Sequence, residues 1–297
     1  MKNISLTFIG GGNMAASLIG GLLAEDLQAG QITVIDPNER TREHLAAHFG
    51  VHTAKDSGAV IDEADVVVLA VKPQILQSVA EGLAPALQQR PEGHQPLVIT
   101  IAAGIRSVDL NRWLGGETGT PVAVVRAMPN TPALLQTGAI GLYASQHVSD
   151  EQREMAESIL RAVGLTLWVE EEGQMDAVTA LSGSGPAYFF RIMEAMQAAG
   201  TELGLPAETA RLLTLQTALG AAKMALESNE SVTVLRENVT SPGGTTEQGL
   251  RVMAESNIDA LMSKVLAAAF ARSRELASVL GTQGLGDNVK DDGKVIP

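Results

Sequence analysis

The chain of 297 residues contains no cysteine. Disulfides, thiolate metal sites and a cysteine nucleophile are therefore excluded, and the composition fits a reducing compartment. No apolar run reaches the length of a transmembrane helix. The first residues lead directly into a strand pattern and not into a signal peptide. We expect a soluble, cytoplasmic protein that does not bind to membranes.

Positive charge and histidine are also scarce. The 21 lysines and arginines face 34 acidic residues, which gives a formal net charge of −13. This charge argues against a nucleic-acid surface and against binding to anionic membranes. The five histidines all lie in the first half, away from strand ends and glycine-rich segments: His44, His48, His52, His94 and His147. A histidine proton relay is therefore poorly supported, and we expect no metal site.

The chain contains enough hydrophobic residues to form the cores of two domains. Hydrophobic residues make up 45% of the chain. In the first half, strand patterns alternate with helix patterns, and residues 65–71 (DVVVLAV) form a run typical of a strand buried on both faces. Strands are predicted at 4–9, 32–35, 65–71, 97–101, 122–126, 139–143 and 165–169, and helices at 13–27, 38–49, 74–88, 107–114 and 149–163. This alternation predicts an α/β fold with a doubly wound, mostly parallel sheet.

The pattern changes after residue 169, where helical segments take over. Helices are predicted at 186–203, 206–227, 246–254 and 258–280. We therefore predict a dinucleotide-binding domain of Rossmann type over 1–170, an all-helical substrate and dimerisation domain over 171–281, and a disordered tail over 282–297. Small residues at Ala218, Ala221, Ala222 and Ala225 would let a second helix approach closely. The helical part also carries more apolar surface than it can bury alone, which favours a homodimer over a compact monomeric bundle.

A glycine-rich loop follows the first predicted strand. Residues 8–15 read FIGGGNMA, which fits the G-x-G-x-x-A fingerprint of dinucleotide-binding proteins. Gly10 would make the turn, Gly12 would let a pyrophosphate reach the backbone, and Ala15 would allow the helix and strand to pack closely. We predict cofactor contacts from Gly10, Gly11, Gly12, Asn13 and Met14.

The end of the second strand bears on the choice between NAD and NADP. Asp36 could accept a hydrogen bond from the ribose 2′-hydroxyl, whereas Arg40 could pair with a 2′-phosphate. Asp36 could equally be only the first residue of an Asx turn before Pro37. The pattern alone leaves the preference open.

Three further strand ends face the expected ligand crevice. Val71, Lys72 and Pro73 close the buried strand and are predicted to line the cofactor. Ala102 lies in a run of small residues suited to contact with a flat ring. The segment 128–132 (MPNTP) is either a kinked exit from the sheet or part of the site.

A second glycine-rich segment, 240–248 (TSPGGTTEQ), lies deep in the helical half. Thr245 and Gln248 have the spacing of a capping box, so we expect a helix to begin there. An uncapped helix start suits a carboxylate or phosphate, and Gly243 and Gly244 would let an anion approach the backbone. The alternative is a well-capped loop that binds no ligand. A site without a strong acid suits a C=N substrate better than a C=O substrate, because a protonated imine needs only orientation and one hydrogen bond.

Together these segments resemble pyrroline-5-carboxylate reductase, which reduces a cyclic imine to L-proline with NAD(P)H in the last step of proline synthesis. The motifs occur in order: FIGGGNMA, AVKPQ, IAAG, MPNTP, then LSGSGPAY (181–188) and NVTSPGGTT (238–246). The resemblance implies that Ser241, Thr245 and Thr246 hold the substrate carboxylate and imine nitrogen, with Thr246 on the nitrogen. It implies cofactor contacts from Gly10–Met14, Ser57, Lys72, Ala102 and Asn238.

The resemblance also implies a dimer with an intertwined helical domain, assembled in some members to a decamer, and mostly NADPH as the cofactor. Asp36 departs from the small polar residue often found there, so use of NAD stays open. Ser182–Pro186 is expected to be architectural, with Pro186 in the first turn of a helix. Two alternatives remain: a β-hydroxyacid dehydrogenase using Lys223, which lacks the asparagine pair expected three residues later, and a non-catalytic dinucleotide sensor.

Overall fold

The computed structural model describes residues 4–56, 61, 63–91 and 95–282. These residues divide into two compact units, one formed by 4–183 with 269–282 and the other by 184–268. No helix in the described part of the chain is both long and apolar enough to cross a membrane.

The first unit is built on one sheet of eight strands. The strands are β1 (Leu6–Ile9), β2 (Ile32–Ile35), β3 (His52–Ala54), β4 (Val66–Leu69), β5 (Leu97–Thr100), β6 (Val124–Met128), β7 (Gly138–Ala144) and β8 (Gly164–Trp168). Their order is β3-β2-β1-β4-β5-β6-β7-β8, and only the β6–β7 pair is antiparallel. The predicted α/β fold with a mostly parallel sheet is therefore confirmed.

The helices of the first unit cover both faces of this sheet. They are α1 (Asn13–Ala24), α2 (Glu39–Phe49), α3 (Pro73–Gln89), α4 (Ser107–Trp113), α5 (Asp150–Arg161) and α6 (Gln174–Val178). Two separate apolar cores result. Phe8 and Leu18 belong to the core on one face, whereas Ile9 and Leu76 belong to the core on the other. Alternate residues of β1 thus point to opposite faces, as the pleat of a strand requires.

The order of strands reverses beside β1. Strands β2 and β3 lie on one side of β1, and β4 lies on the other side. Leu6 of β1 is aligned with Ile32 of β2 and with Val66 of β4. In open parallel sheets, ligands bind outside the carboxyl ends of the strands at such a switch point. The fold therefore puts the loop after β1 where a ligand is expected.

The second unit is helical. It contains α7 (Gly185–Glu202), α8 (Ala207–Glu227), α9 (Val232–Asn238), α10 (Thr245–Glu255) and the beginning of α11 (Ile258–Thr282). Helices α7 and α8 form a hairpin and pack closely where Gly200 meets Ala210. Within residues 184–268, Ala210 is the only hydrophobic residue that is buried. Large apolar side chains such as Phe189 and Leu219 are exposed, so the unit does not cover its own apolar faces.

Most predicted elements are present with small shifts at their ends. Strand β3, helix α6, the π-helical turn Thr179–Gly183 and helix α9 were not predicted. The predicted division at residue 170 stays a prediction, as does the role of each domain. The predicted tail falls almost wholly on residues 283–297, which lie outside the described residues.

Candidate functional site

The loop after β1 has the geometry that a dinucleotide fingerprint requires. Gly10 has φ of 98°, and a Cβ atom there would lie 2.7 Å from the carbonyl oxygen of Ala70. Only glycine fits this turn without strain. A Cβ atom at Gly12 would meet nothing within 4 Å, so the chain leaves open space beside that residue.

Helix α1 begins at this open space. Its N-cap is Gly12, which supplies no side-chain acceptor. Among the described residues, no acceptor contacts the backbone N–H groups of Asn13, Met14 and Ala15. Free N–H groups and the positive end of the helix dipole together suit a phosphate. The glycine loop and α1 thus fit the pyrophosphate of a dinucleotide.

Gly11 and Asp36 are connected directly. The N–H of Gly11 donates to Oδ2 of Asp36 at 2.8 Å, and the N–H of Asn38 donates to Oδ1 at 2.8 Å. Asn38 in turn caps α2 through the N–H groups of Arg40 and Thr41. The Asx turn considered for Asp36 is present. The contact with a ribose hydroxyl stays a prediction, since each carboxylate oxygen retains a lone pair.

Gly11 is buried, and a Cβ atom there would lie 2.7 Å from Leu45 and 2.8 Å from Thr41. Its N–H is already used by Asp36. The structure therefore places Gly11 as a packing residue between the loop and α2. Its predicted contact with the cofactor is not tested by this geometry.

An open cavity of about 830 Å³ extends from the glycine loop across the ends of β2 and β4. Of the predicted cofactor residues, five line it: Gly10, Gly12, Asp36, Val71 and Lys72. Lys72 is exposed and is the N-cap of α3, where Pro73 occupies the first turn. The volume lies in the range of small-molecule and cofactor sites. The switch point of the sheet therefore holds a cavity that fits an extended ligand.

Within the first unit, two further predicted cofactor residues, Arg40 and Ala102, do not line this cavity. Arg40 is exposed on the first turn of α2, and Ala102 is buried directly after β5. Asn238 is exposed in the second unit, where its Nδ2 donates to Glu230 at 3.0 Å. Ser57 lies outside the described residues. Their contacts with a cofactor remain predictions.

The MPNTP segment is fixed to the chain just before α7. The amide of Asn130 donates to the carbonyl oxygen of Ser182 at 3.1 Å and accepts from the N–H of Ala139 at 2.9 Å. A Cβ atom at Gly183 would lie 2.5 Å from Cε of Met128. Gly185 and Pro186 then begin α7. These contacts support the architectural interpretation of both segments.

A partly buried ion pair lies at the start of α4. Arg126 pairs with Glu172 at 2.8 Å, and its side chain is 8% exposed. Glu172 also accepts from the N–H of Ser107 at 2.5 Å and from its hydroxyl at 2.9 Å. Burial raises the pKa of the neighbouring Tyr143 phenol, and the charge of Glu172 raises it further. Glu172 thus connects Arg126 on β6 to Ser107 at the start of α4.

The second predicted site segment forms a tight turn before α10. The N–H of Gly244 donates to the carbonyl oxygen of Ser241 at 2.9 Å, and Gly243 adopts φ of 71°. A Cβ atom at Gly244 would lie 2.9 Å from the same oxygen of Ser241. The turn therefore requires glycine at position 244.

The predicted capping box at this helix start is wrong. The helix does begin at Thr245, but its N-cap is Gly244, and no side chain caps it. Thr245 lies one residue too far into the helix to serve as the cap. Among the described residues, no acceptor contacts the N–H groups of Thr245, Thr246 and Glu247. The helix start is thus more open to an anion than the sequence pattern predicted.

The side chain of Glu247 reaches back from the first turn of α10. Its Oε2 accepts a hydrogen bond from the N–H of Gly243 at 2.8 Å. Sequence reasoning missed this contact, although a signal was present in the spacing G-x-x-E from Gly244 to Glu247. Beside the segment, a cavity of about 760 Å³ opens between α9 and α10, and Arg236 and Arg251 line it. The lining also includes the carboxylates of Glu237, Glu247 and Asp259, so this cavity carries charges of both signs.

The geometry gives no support to the alternative that uses Lys223. This lysine is exposed on α8 and forms a surface ion pair with Glu227 at 3.7 Å. His44 and His48 stack on each other along α2 and are exposed.

Two family models match different parts of the chain. The family described as pyrroline-5-carboxylate reductase dimerisation matches residues 172–276. The family described as NADP oxidoreductase, coenzyme F420-dependent, matches residues 5–104. A pyrroline-5-carboxylate reductase of Pseudomonas aeruginosa is 51% identical over 281 residues, which cover 95% of this chain and 100% of that protein.

Solved structures give the same picture. The structure of a pyrroline-5-carboxylate reductase from Coxiella burnetii superposes with a TM-score of 0.87 and 47% identity, covering 92% of this chain and 98% of its own. The pyrroline carboxylate reductase of Plasmodium falciparum, solved with NADP bound, gives a TM-score of 0.79 at 27% identity, covering 93% of this chain and 99% of its own. Similarity thus extends over both units.

Proposed function

This chain belongs to the pyrroline-5-carboxylate reductase family, and on that premise we propose that it reduces 1-pyrroline-5-carboxylate to L-proline. It is an oxidoreductase that uses a reduced nicotinamide dinucleotide, NADPH or NADH. In the reaction the imine carbon accepts a hydride and becomes Cδ of proline, while the ring nitrogen takes a proton and becomes a secondary amine. A bound NADPH or NADH supplies that hydride.

The observation that carries this proposal is the uncapped start of α10. Because the turn requires glycine at position 244, no side chain can take the place of an anion at the first N–H groups of the helix. We assign these N–H groups, at Thr245 and Thr246, to the substrate carboxylate. Gly243 and Gly244 leave the approach open, and the hydroxyl of Ser241 lies in the same turn.

Thr246 is the residue that we assign to the imine. Its hydroxyl lies on an exposed first turn, and a hydroxyl can either donate to the imine nitrogen or accept from the protonated iminium. Such a contact orients the C=N bond and stabilises the charge that changes on nitrogen during the reaction. No strong acid is required, because the iminium already carries the proton.

The first unit supports the cofactor assignment. The free N–H groups at the start of α1 suit the pyrophosphate, and the open space at Gly12 allows close approach. Asp36 and Lys72 line the same cavity. We propose that Gly10, Gly12, Asn13, Met14, Val71 and Lys72 contact the dinucleotide, with Gly11 shaping the loop. Arg40, Ser57, Pro73, Ala102 and Asn238 complete the proposed set.

The dimerisation match and the exposed apolar helices together support a homodimer. A second copy would cover side chains such as Phe189 and Leu219, which the chain leaves in solvent. We propose the dimer as the minimal assembly and a decamer of five dimers as the larger one, which light scattering distinguishes. We also propose a cytoplasmic location, where reduced nicotinamide cofactors are regenerated, and cell fractionation tests it.

The function is tested by following NADPH and NADH oxidation with 1-pyrroline-5-carboxylate. We expect turnover with at least one cofactor, and a fall in kcat of about 10- to 100-fold in Thr246→Ala, with cofactor binding retained. Thr246→Ser keeps the hydroxyl and should recover most of the rate. Cofactor binding without turnover in the parent protein would instead indicate a sensor, and equal rates in parent and Thr246→Ala would refute the role of Thr246.

A further inference from the structure

The turn that precedes α10 is held from two sides. On one side the N–H of Gly244 bonds to the carbonyl oxygen of Ser241, and on the other the N–H of Gly243 bonds to the side chain of Glu247. The second bond, at 2.8 Å, is the only hydrogen bond from a side chain to the backbone of residues 241–244 among the described residues. Glu247 therefore links the helix to Gly243, which is the glycine of this turn whose Cβ position meets no other atom.

Gly243 needs such a restraint. It has φ of 71°, and a Cβ atom there would meet nothing within 4 Å. Neither packing nor a β-carbon limits its backbone, so glycine here has many conformations to lose on ordering. If the turn were free, ligand binding would bear the cost of ordering it.

We propose that Glu247 is a positioning residue that preorganises the turn for the substrate carboxylate. It acts through Gly243 and does not touch the reacting atoms. This inference rests on the proposed function, because it assumes that the anion bound at Thr245 and Thr246 is the substrate. It adds a determinant of substrate affinity that lies outside the residues assigned to binding and chemistry.

The charge of Glu247 acts in the opposite direction to its hydrogen bond. A carboxylate on the first turn stabilises a helix, because its negative charge interacts favourably with the positive end of the helix dipole. The same charge repels an anionic substrate that approaches this helix start. Oε2 accepts from Gly243, and one oxygen acceptor is sufficient for that bond. A glutamine can supply the same acceptor without the charge. The two effects are therefore separable by substitution.

Three variants make the test. Glu247→Ala removes both acceptor and charge, and Glu247→Gln removes the charge alone. Glu255→Ala is the matched control, because Glu255 is an exposed carboxylate at the far end of the same helix, 3.8 Å from Arg251. With the cyclic imine as substrate, each protein is assayed for its substrate KM, for kcat and for the dissociation constant of NADPH, and thermal unfolding serves as a check on folding.

We expect Glu247→Ala to raise the substrate KM about fivefold or more, with little change in kcat or in cofactor affinity. Glu247→Gln should restore a KM equal to or below that of the parent, and Glu255→Ala should match the parent. An unchanged KM in Glu247→Ala, or a KM in Glu247→Gln as high as in Glu247→Ala, overturns the role of Glu247 alone. A parent protein that does not reduce the imine overturns the proposed function and this inference with it.

Discussion

Gly11 and Asp36 are joined by a hydrogen bond of 2.8 Å from the backbone N–H of the glycine to the side chain of the aspartate. The bond connects the glycine loop after β1 to the end of β2. The other carboxylate oxygen accepts from Asn38, which caps α2. Asp36 thus holds its charge at the wall of the cavity beside the glycine loop, and its hydrogen bond to Gly11 shapes that loop.

Asp36→Asn should shift cofactor selectivity toward NADPH. The carboxylate repels a 2′-phosphate and can accept from a 2′-hydroxyl, whereas asparagine removes the charge and keeps one acceptor oxygen for the two N–H groups of Gly11 and Asn38. We expect the ratio of kcat/KM for NADPH to that for NADH to rise about tenfold, measured by steady-state kinetics. Asp56→Asn removes a second charge from the lining of the same cavity and should change the ratio less. An unchanged ratio in Asp36→Asn would leave Asp36 with a structural role only.

Gly10→Ala and Gly12→Ala should change different properties. The first should lower stability, and the second should lower the affinity for NADPH. Alanine at position 10 meets strain and the oxygen of Ala70, so the free energy of unfolding should fall by about 2 kcal/mol or more. Alanine at position 12 meets open space, so the fold should be kept while NADPH affinity falls about tenfold. Thermal unfolding and fluorescence titration measure the two effects. If Gly12→Ala bound NADPH as tightly as the parent protein, the placement of the pyrophosphate beside Gly12 would be contradicted.

Glu172→Ala should destabilise the first unit. It leaves the guanidinium of Arg126 buried without its carboxylate and removes the acceptor of Ser107. Because Arg126 is buried and Glu172 is partly exposed, we expect a loss of about 2 kcal/mol. Glu194→Ala is the control, since Glu194 pairs with Arg191 on the surface at 3.1 Å and should change the free energy of unfolding by under about 1 kcal/mol. Equal losses in urea unfolding would refute a special role for Glu172.

Leu219→Glu should disrupt the proposed dimer. Leu219 is 62% exposed on α8, within the region that matches the dimerisation family. A charge in the core of an interface should weaken association about 30-fold or more. Val108→Glu is a matched control at 61% exposure on α4, outside that region. Light scattering over a dilution series measures both, and a Leu219→Glu protein that stays dimeric would exclude this face of α8 from the interface.

The sequence was sufficient to predict the features that depend on local pattern. The glycine loop after β1 and the strand at 32–35 lie where they were predicted, because a buried parallel strand followed by a tight turn has a distinct composition. The uncovered apolar helices were also predicted, from the pattern of small and apolar residues in the helical segments. The function was implied by the resemblance of the ordered motifs to a known family.

What the sequence could not provide depends on contacts between distant residues. The strand at His52–Ala54 has three residues of mixed polarity and is stabilised by pairing with β2, which no local pattern indicates. The capping box at Thr245 was wrong because the turn, closed by Ser241 and Gly244, places the helix start one residue earlier than the spacing suggested. The contact between Asn130 and Ser182 spans 52 residues and was likewise invisible.

The central claim is hydride transfer to an imine carbon. It is tested most directly by incubating the protein with 1-pyrroline-5-carboxylate and NADPH deuterated at C4 of the nicotinamide, and NADH deuterated in the same way, each in both stereochemical forms. Mass spectrometry then locates the label in the product. If hydride moves from the nicotinamide to the imine carbon, L-proline carries one deuterium at Cδ from one stereochemical form, and it forms at the rate of cofactor oxidation. Proline without label from every cofactor form, or no proline from a protein that binds the cofactor, would contradict it.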